Sequence, residues 1–80
     1  MVRVLLFSQV ALRAGTGVCE WPVVGPQSAQ AFWEWFLLDH PSLSGMREFC
    51  RLARNGEYVG EGECFVAGDE LAVIPPVSGG

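Results

Sequence analysis

The sequence closes with Leu71-Ala72-Val73-Ile74-Pro75-Pro76-Val77-Ser78-Gly79-Gly80, an apolar run followed by two prolines and, at the end, two glycines. The run at 71–74 predicts a buried strand. Because proline has a fixed φ and no backbone N–H, Pro75 and Pro76 are expected to end this strand and to begin an extended segment. Six residues at about 3.3 Å each span roughly 20 Å, so this segment can carry its carboxylate into a pocket on another molecule.

The sequence therefore predicts two parts, a folded domain at residues 1–74 and an extended tail at residues 75–80 that ends in Gly-Gly. The tail consists of Pro75, Pro76, Val77, Ser78, Gly79 and Gly80. Two glycines leave no side chain near the carboxylate, which suits its passage through a narrow channel. The alternative is a frayed glycine terminus, and frayed ends are common.

The composition restricts the classes of function. A chain of 80 residues makes one domain with a small core, yet half of its residues are hydrophobic and its mean hydropathy is +0.29, which predicts an apolar surface patch for a partner. A net charge of −4 without a basic run argues against nucleic acid. No apolar run approaches the roughly 20 residues of a membrane span or forms a signal peptide, so we expect a cytoplasmic protein.

The cysteines and the histidine do not form a recognisable site. Cys19, Cys50 and Cys64 are odd in number and contain no C-x-x-C pair, so the sequence indicates neither a disulfide framework nor a metal site, and reduced thiols are expected. His40 is the only histidine and stands before Pro41, which favours the end of a helix over a ligand or a base. Without a nucleophile and base pair, the isolated chain is not expected to be an enzyme.

The first half of the sequence predicts strands and one main helix. Alternation over 2–7 indicates a central strand whose second face is only partly polar. Residues 10–14 are expected to form a helical turn. Residues 18–24 are expected to form a strand at the edge of the sheet, because this stretch contains Pro22. Apolar residues at helical spacing follow Ser28, a suitable N-cap, and place Trp35 and Leu38 at the side of the apolar face; Asp39-His40-Pro41 is expected to close the helix.

The second half predicts strands joined by turns. Residues 42–50 are expected to form a loop with a short helical turn at 46–49. Asn55-Gly56 is the strongest hairpin signal, since asparagine and glycine tolerate the positive φ of a type I′ turn. A short apolar piece at 64–66 and a turn at 67–69 then precede the last strand, 70–74. The predicted order β-β-α-β-β-β is an α+β roll, a mixed sheet with one main helix packed on one face.

The tail, the strand before it and the opening strand resemble the MoaD family, the sulfur-carrier subunits of molybdopterin synthase. The specific part is Ile74-Pro75-Pro76-Val77-Ser78-Gly79-Gly80 after Gly68-Asp69-Glu70; Val2 to Phe7, the central helix and Ala53-Arg54-Asn55-Gly56-Glu57-Tyr58-Val59 extend the resemblance over the chain. The resemblance implies the ubiquitin-like β-grasp, in which the first and last strands lie side by side and parallel.

The resemblance also implies a mechanism. An adenylating, E1-like enzyme uses ATP to join AMP to Gly80, and a sulfur donor then gives a thiocarboxylate. The tail enters the large synthase subunit, in a heterotetramer whose catalytic residues belong to that subunit, and sulfur passes to cyclic pyranopterin monophosphate to form molybdopterin. No cofactor is expected to remain bound to the carrier.

The family's partner surface is an apolar patch near the tail, and the matching positions are Phe7, Tyr58 and Ile74. Tyr58 departs most from the aliphatic residue expected there. The alternative is that all three belong to the core, because the register cannot be read from the sequence. Two other functions also remain open: a ubiquitin-like protein modifier with the same Gly-Gly end, and a sulfur carrier of the thiamin pathway.

Overall fold

The computed structural model of the protein describes residues 1–60 and 62–76. Its elements, in chain order, are β1 (Val2–Leu6), α1 (Ser8–Ala14), β2 (Val18–Trp21), β3 (Gln27–Ser28), α2 (Ala29–Asp39), a 3₁₀ helix (Pro41–Phe49), β4 (Arg51–Arg54), β5 (Glu57–Tyr58), β6 (Cys64–Phe65) and β7 (Glu70–Ile74).

Five strands form one mixed sheet in the order β2-β1-β7-β4-β5. The first and last strands, β1 and β7, run parallel, and the other neighbours run antiparallel. The predicted position of β2 at the edge is confirmed, although it ends at Trp21 because Pro22 cannot continue the ladder. The α+β prediction with a mixed sheet is therefore confirmed.

The core lies between one face of this sheet and α2. Every second residue of β1 is buried, and Val4 pairs with Leu71 of β7, which is fully buried as well. Helix α2 contributes Phe32 and Phe36, whose ring centroids lie 5.3 Å apart. All buried side chains of the described residues are apolar. Burial of each large aliphatic or aromatic side chain contributes about 1.5–3 kcal/mol, so this layer is the main source of stability.

The ends of α2 follow the predictions. The Ser28 hydroxyl accepts a hydrogen bond from the Ala31 N–H at 3.1 Å, which satisfies a donor of the first turn. At the other end, the His40 N–H donates to the Phe36 carbonyl and the His40 ring lies 4.8 Å from the Phe36 ring. Trp35 is half-buried against the core, whereas Leu38 is exposed. None of the described helices is long and apolar enough to cross a membrane.

Asn55 and Gly56 form the predicted tight turn, both with positive φ, and Arg54 pairs with Glu57 across it. The Asn55 side chain also reaches the start of β7: it donates to Asp69 Oδ1 at 3.0 Å and accepts from the Glu70 N–H at 2.9 Å. The other Asp69 oxygen accepts from the Val66 N–H. The hairpin turn thereby fixes the turn that starts the last strand.

Two parts of the sequence prediction are wrong. Residues 42–50 are not mainly a loop, since Pro41–Phe49 form a 3₁₀ helix; Pro41 supplies the φ of its first turn and Leu43 anchors it in the core. The order β-β-α-β-β-β is incomplete because β3 and β6 pair with each other in a separate two-stranded sheet. Two-residue strands are too short for alternation to reveal them.

The boundaries around β1 also differ from the prediction. The strand ends at Leu6 rather than Phe7, and α1 begins at Ser8 and is longer than the predicted turn at 10–14. Ser8 has a φ of 52°, which turns the backbone out of the strand direction. Phe7 keeps extended backbone as the residue before α1.

Replacing Asn55 tests the link between the two turns. Asn55→Ala removes both side-chain hydrogen bonds and places alanine, which tolerates the left-handed region less well than asparagine, at a φ of 53°, so we expect a loss of about 2 kcal/mol in the free energy of unfolding. Asn55→Gly tolerates the φ and should lose about half as much. Urea unfolding monitored by tryptophan fluorescence measures both variants; equal stability of Asn55→Ala and the wild type would contradict the interpretation.

Asp69 predicts a pH dependence. Hydrogen bonding from the Val66 N–H, followed by the Asn55 side chain and the nearby Arg54, lowers the pKa of Asp69. Its contribution to stability is therefore complete above the unfolded pKa of about 3.9 and is lost as the pH falls through the lower folded pKa. The stability difference between the wild type and Asp69→Asn should be constant above about pH 5 and should narrow below about pH 4. A difference that widens in acid would refute this.

Candidate functional site

The face of the five-stranded sheet that points away from α2, here called the outer face, carries the candidate site. Side chains alternate between the two faces of a strand, so the neighbours of the core residues point outward. The pairing register places one apolar residue from each strand side by side across the sheet. This outer row consists of Val18, Leu5, Ala72, Ala53 and Tyr58.

The outer row is accessible at both ends. Val18 at the β2 edge is 44% exposed and Tyr58 at the β5 edge is 54% exposed. Ala72 and Ala53 occupy the middle of the row. Because their side chains are small, they protrude less from the sheet than the side chains at the ends of the row. The row is therefore a shallow apolar surface that a partner could cover.

A second row lies at the end of the sheet from which the tail departs. Ile74 pairs with Arg51 of β4, and Leu6 pairs with Val73, so that Phe7 follows beside Ile74. Phe7 is 45% exposed and Ile74 is half-buried. The guanidinium carbon of Arg51 lies 3.7 Å from the centroid of the Tyr58 ring, a cation–π contact that joins this row to the outer row.

The register thus places Tyr58 and Ile74 on the outer face, and Phe7 follows β1 in extended backbone at the end of the sheet where Ile74 lies. The alternative interpretation as core residues is wrong for Phe7 and Tyr58, because both are exposed, and none of the three belongs to the core cluster. Their role in binding a partner stays a prediction.

The opposite end of the outer face is charged. Arg3 pairs with Glu20 on one side and with Glu70 on the other, so a cation stands between two carboxylates in register. Opposite charges across neighbouring strands are favourable. The outer face consequently carries charges of both signs where β7 begins, and apolar residues beside the single cation Arg51 where β7 ends.

The root of the tail lies at the apolar end. Strand β7 ends at Ile74, as predicted, and is followed by Pro75, which is half-buried, and by Pro76, which is exposed. The remaining tail residues, Val77, Ser78, Gly79 and Gly80, lie outside the described residues. The roles that the sequence predicts for them stay predictions.

The three thiols are placed on the domain rather than at the tail. Burial, together with the negative charge of Asp39, raises the pKa of Cys19 in β2, and burial raises the pKa of Cys50. Since the thiolate is the reactive form, both groups are held in the less nucleophilic state at neutral pH. Cys64 is exposed in β6. Among residues 1–60 and 62–76, no three His, Cys, Asp or Glu side chains form a group that could hold a metal ion.

Sequence reasoning missed Arg51 and most of the outer row. The available signal was the apolar character of both faces of β1, where Leu5 stands between the core positions Val4 and Leu6. That pattern indicates a strand with two covered faces, but the partners of Leu5 depend on the register, which the sequence does not give.

Comparisons with known proteins agree with this architecture. Residues 4–80 match the model of the ThiS family. The molybdopterin synthase sulfur carrier subunit of Arabidopsis thaliana is 37% identical over 81 residues, which cover 99% of this chain and 82% of the plant protein. The human protein of the same name is 38% identical over 84 residues, which cover 99% of this chain and 93% of the human protein.

The solved structures show the same fold. The crystal structure of SAMP1 from Haloferax volcanii superposes with a TM-score of 0.83 at 33% identity, covering 99% of this chain and 98% of that chain. The fold is therefore the ubiquitin-like β-grasp that the resemblance implied. With a family match over residues 4–80 and relatives similar along the whole chain, this protein belongs to the ThiS family.

Proposed function

We propose that the protein is the sulfur carrier of molybdenum cofactor biosynthesis, acting as the small subunit of a molybdopterin synthase. The observation that carries the proposal is the similarity, over 99% of the chain, to two proteins named as sulfur carrier subunits of that synthase. The placement of the tail root beside an exposed apolar surface supports it, because a carrier must be held while its tail enters the partner.

The proposed chemistry takes place at Gly80. A carboxylate is a poor electrophile, so an adenylating, E1-like partner uses ATP to join AMP to Gly80 and releases pyrophosphate. A sulfur donor then displaces AMP and leaves a thiocarboxylate. In the synthase, the thiocarboxylate sulfur forms a bond to a carbon of cyclic pyranopterin monophosphate, and water then cleaves the bond between this sulfur and the Gly80 carbonyl carbon, which returns Gly80 to the carboxylate. ATP belongs to the activating partner, no cofactor stays bound to the carrier, and the reactions take place in the cytoplasm.

The outer face is the proposed docking surface for the large subunit, whose active site supplies the catalytic residues. The exposed Phe7 lies at the same end of the sheet as the half-buried Ile74, and the exposed Tyr58 is one end of the outer row. The cores of stable interfaces are more apolar than the remaining surface and are enriched in aromatic residues and arginine, a composition that this face shares. We infer a heterotetramer in which each carrier docks through this face.

The similarity to SAMP1, a small archaeal modifier protein, favours a second candidate function, that of a ubiquitin-like modifier. Both functions require activation of Gly80 but differ in the acceptor: a modifier forms an isopeptide bond with a lysine of a target, whereas a carrier gives up sulfur and leaves free. Complementation of strains that lack the carrier of the molybdenum cofactor or of the thiamin pathway separates the carrier functions. Stable conjugation to many cellular proteins, with normal molybdenum cofactor in a strain without this chain, would favour the modifier.

Introduction of a negative charge on the outer face tests the docking proposal. Phe7→Glu and Ile74→Glu should each weaken assembly with the large subunit by at least about tenfold, because each places a carboxylate in an apolar interface. Leu38→Glu is a matched control, since Leu38 is 80% exposed on α2, away from the outer face. Isothermal titration calorimetry measures the affinities. Folded Phe7 and Ile74 variants that bind as tightly as the control would refute this docking surface.

Mass spectrometry tests the role of Gly80. After incubation with ATP, the adenylating enzyme and a sulfur source, the C-terminal peptide should gain the mass of sulfur replacing one oxygen. Deletion of Gly80, or addition of a residue after it, should abolish transfer while changing stability by no more than about 0.5 kcal/mol, as for surface changes generally. A persulfide on Cys19, Cys50 or Cys64 in place of this gain would show that the mechanism is wrong.

A further inference from the structure

The 80-residue sequence contains no lysine. Its five basic residues are all arginine: Arg3, Arg13, Arg47, Arg51 and Arg54. The difference is chemical as well as structural, because a guanidinium stays protonated at every physiological pH and has no free lone pair, whereas a lysine amine deprotonates and is readily acylated.

An activated carboxyl group at Gly80 reacts with any free amine that reaches it. The amine nitrogen attacks the carbonyl carbon, the bond to the leaving group breaks, the amine loses a proton, and a stable amide forms. Such an amide on the carrier itself would consume the activated carboxyl group. A carrier whose domain lacks side-chain amines avoids this loss.

The structure shows where a lysine would be most harmful. Arg51 lies directly across from Ile74, the residue before the tail, and neighbouring strands are about 4.8 Å apart. A carboxyl group six residues beyond Ile74 has a maximum reach of roughly 20 Å from it, so position 51 lies within the range of the activated end. The cation at this position stacks on Tyr58, a contact that either a lysine or an arginine can make.

Arg54 is a second arginine whose charged side chain makes specific contacts within the domain. It donates from Nη1 to the Cys64 carbonyl at 2.6 Å and from Nη2 to Glu63 at 2.6 Å, which ties β4 to β6 and to the preceding loop. The N-terminal amine lies at the end of β7 opposite the tail root, since β1 and β7 are parallel and the Met1 carbonyl accepts from the Gly68 N–H at the start of β7.

We propose that this chain donates its C-terminal acyl group but does not accept one on a side chain. Its folded domain supplies positive charge through arginine alone, so neither the chain nor a second copy of it offers a side-chain amine to the activated Gly80. The inference rests on the proposed activation of Gly80. One consequence is that copies of this protein cannot join into isopeptide-linked chains, so in a modifier role it would act as a single terminal unit.

The experiment uses the full chain with a chemically activated end. Fusion to an intein followed by thiol cleavage gives a C-terminal thioester at Gly80, without ATP or any partner enzyme. The wild type, Arg51→Lys and Arg3→Lys are incubated at about pH 9, where part of the lysine population is unprotonated. An added thiol reverses thioesters formed with Cys19, Cys50 or Cys64, so that only amides accumulate. Intact mass and peptide mapping identify them, and circular dichroism confirms that all three proteins are folded.

The wild type should form no side-chain amide and should mainly hydrolyse. Its Met1 α-amine lies at the end of β7 opposite the tail root and should be acylated slowly, and peptide mapping distinguishes that amide from one at a lysine. Arg51→Lys should form an amide within the same molecule. Two groups tethered through a few residues have an effective concentration of about 1 mM, so this reaction should be about a hundredfold faster than reaction between molecules at about 10 µM. Arg3 pairs with Glu70, four residues before Ile74 and about 13 Å away along the strand, so Arg3→Lys should react more slowly.

Two results would overturn the inference: amide formation by the wild type at a rate similar to that of Arg51→Lys, or no amide in Arg51→Lys. Equal rates for the two lysine variants would overturn the assignment of the risk to the tail root. Because this assay needs neither ATP nor a sulfur donor, its failure is distinguishable from failure of the sulfur-carrier proposal, which the thiocarboxylate measurement tests separately.

Discussion

The parallel pairing of β1 with β7 is the constraint on which the rest of the structure depends. It joins the two ends of the domain, and its register sets Val4 against Leu71 and Leu6 against Val73, all buried. Two parallel strands cannot be joined by a tight turn, so the chain between them must cross over the sheet, and α2 is the helix that covers it. The same direction puts the tail root beside Phe7 and the start of β1 at the opposite end. A slip of one residue in this register would exchange the core and the outer face.

One face of the sheet packs in the core and stabilises the fold, and the other face carries the candidate recognition surface. The inner face and α2 bury the aromatic residues, and no polar side chain of the described residues is buried with them. The outer face keeps the outer row, whose end residues Val18 and Tyr58 remain exposed, and Arg51 stacks on Tyr58. Changes on the outer face can therefore alter binding without disturbing the core, which allows the two properties to be measured separately.

The sequence predicted those features that depend on local chemistry. The alternation of β1, the Ser28 cap of α2, the Asn55-Gly56 turn and the end of β7 before Pro75 each follow from a few neighbouring residues. The features that it did not predict depend on distant pairing. Strands β3 and β6 have two residues each and are far apart in the sequence, so their pairing becomes visible only in the folded structure. Assigning the outer row requires knowledge of the pairing registers of all four neighbouring strand pairs. Because the outer face carries the candidate site, the site was less predictable than the fold.

The positions of the ionisable groups bear on how such a domain can act. Hydrogen bonds from the Gly60 N–H and Arg54 lower the pKa of Glu63, and those from the Val66 N–H and Asn55 lower the pKa of Asp69. Both carboxylates accept hydrogen bonds from backbone N–H groups of turns. Their lowered pKa values therefore reflect stabilisation of the turns rather than a role in a reaction. The sulfur-carrier proposal assigns the chemistry to the tail and to the partners that activate it. In that proposal the domain contributes a surface that recognises the partner and a direction for the tail.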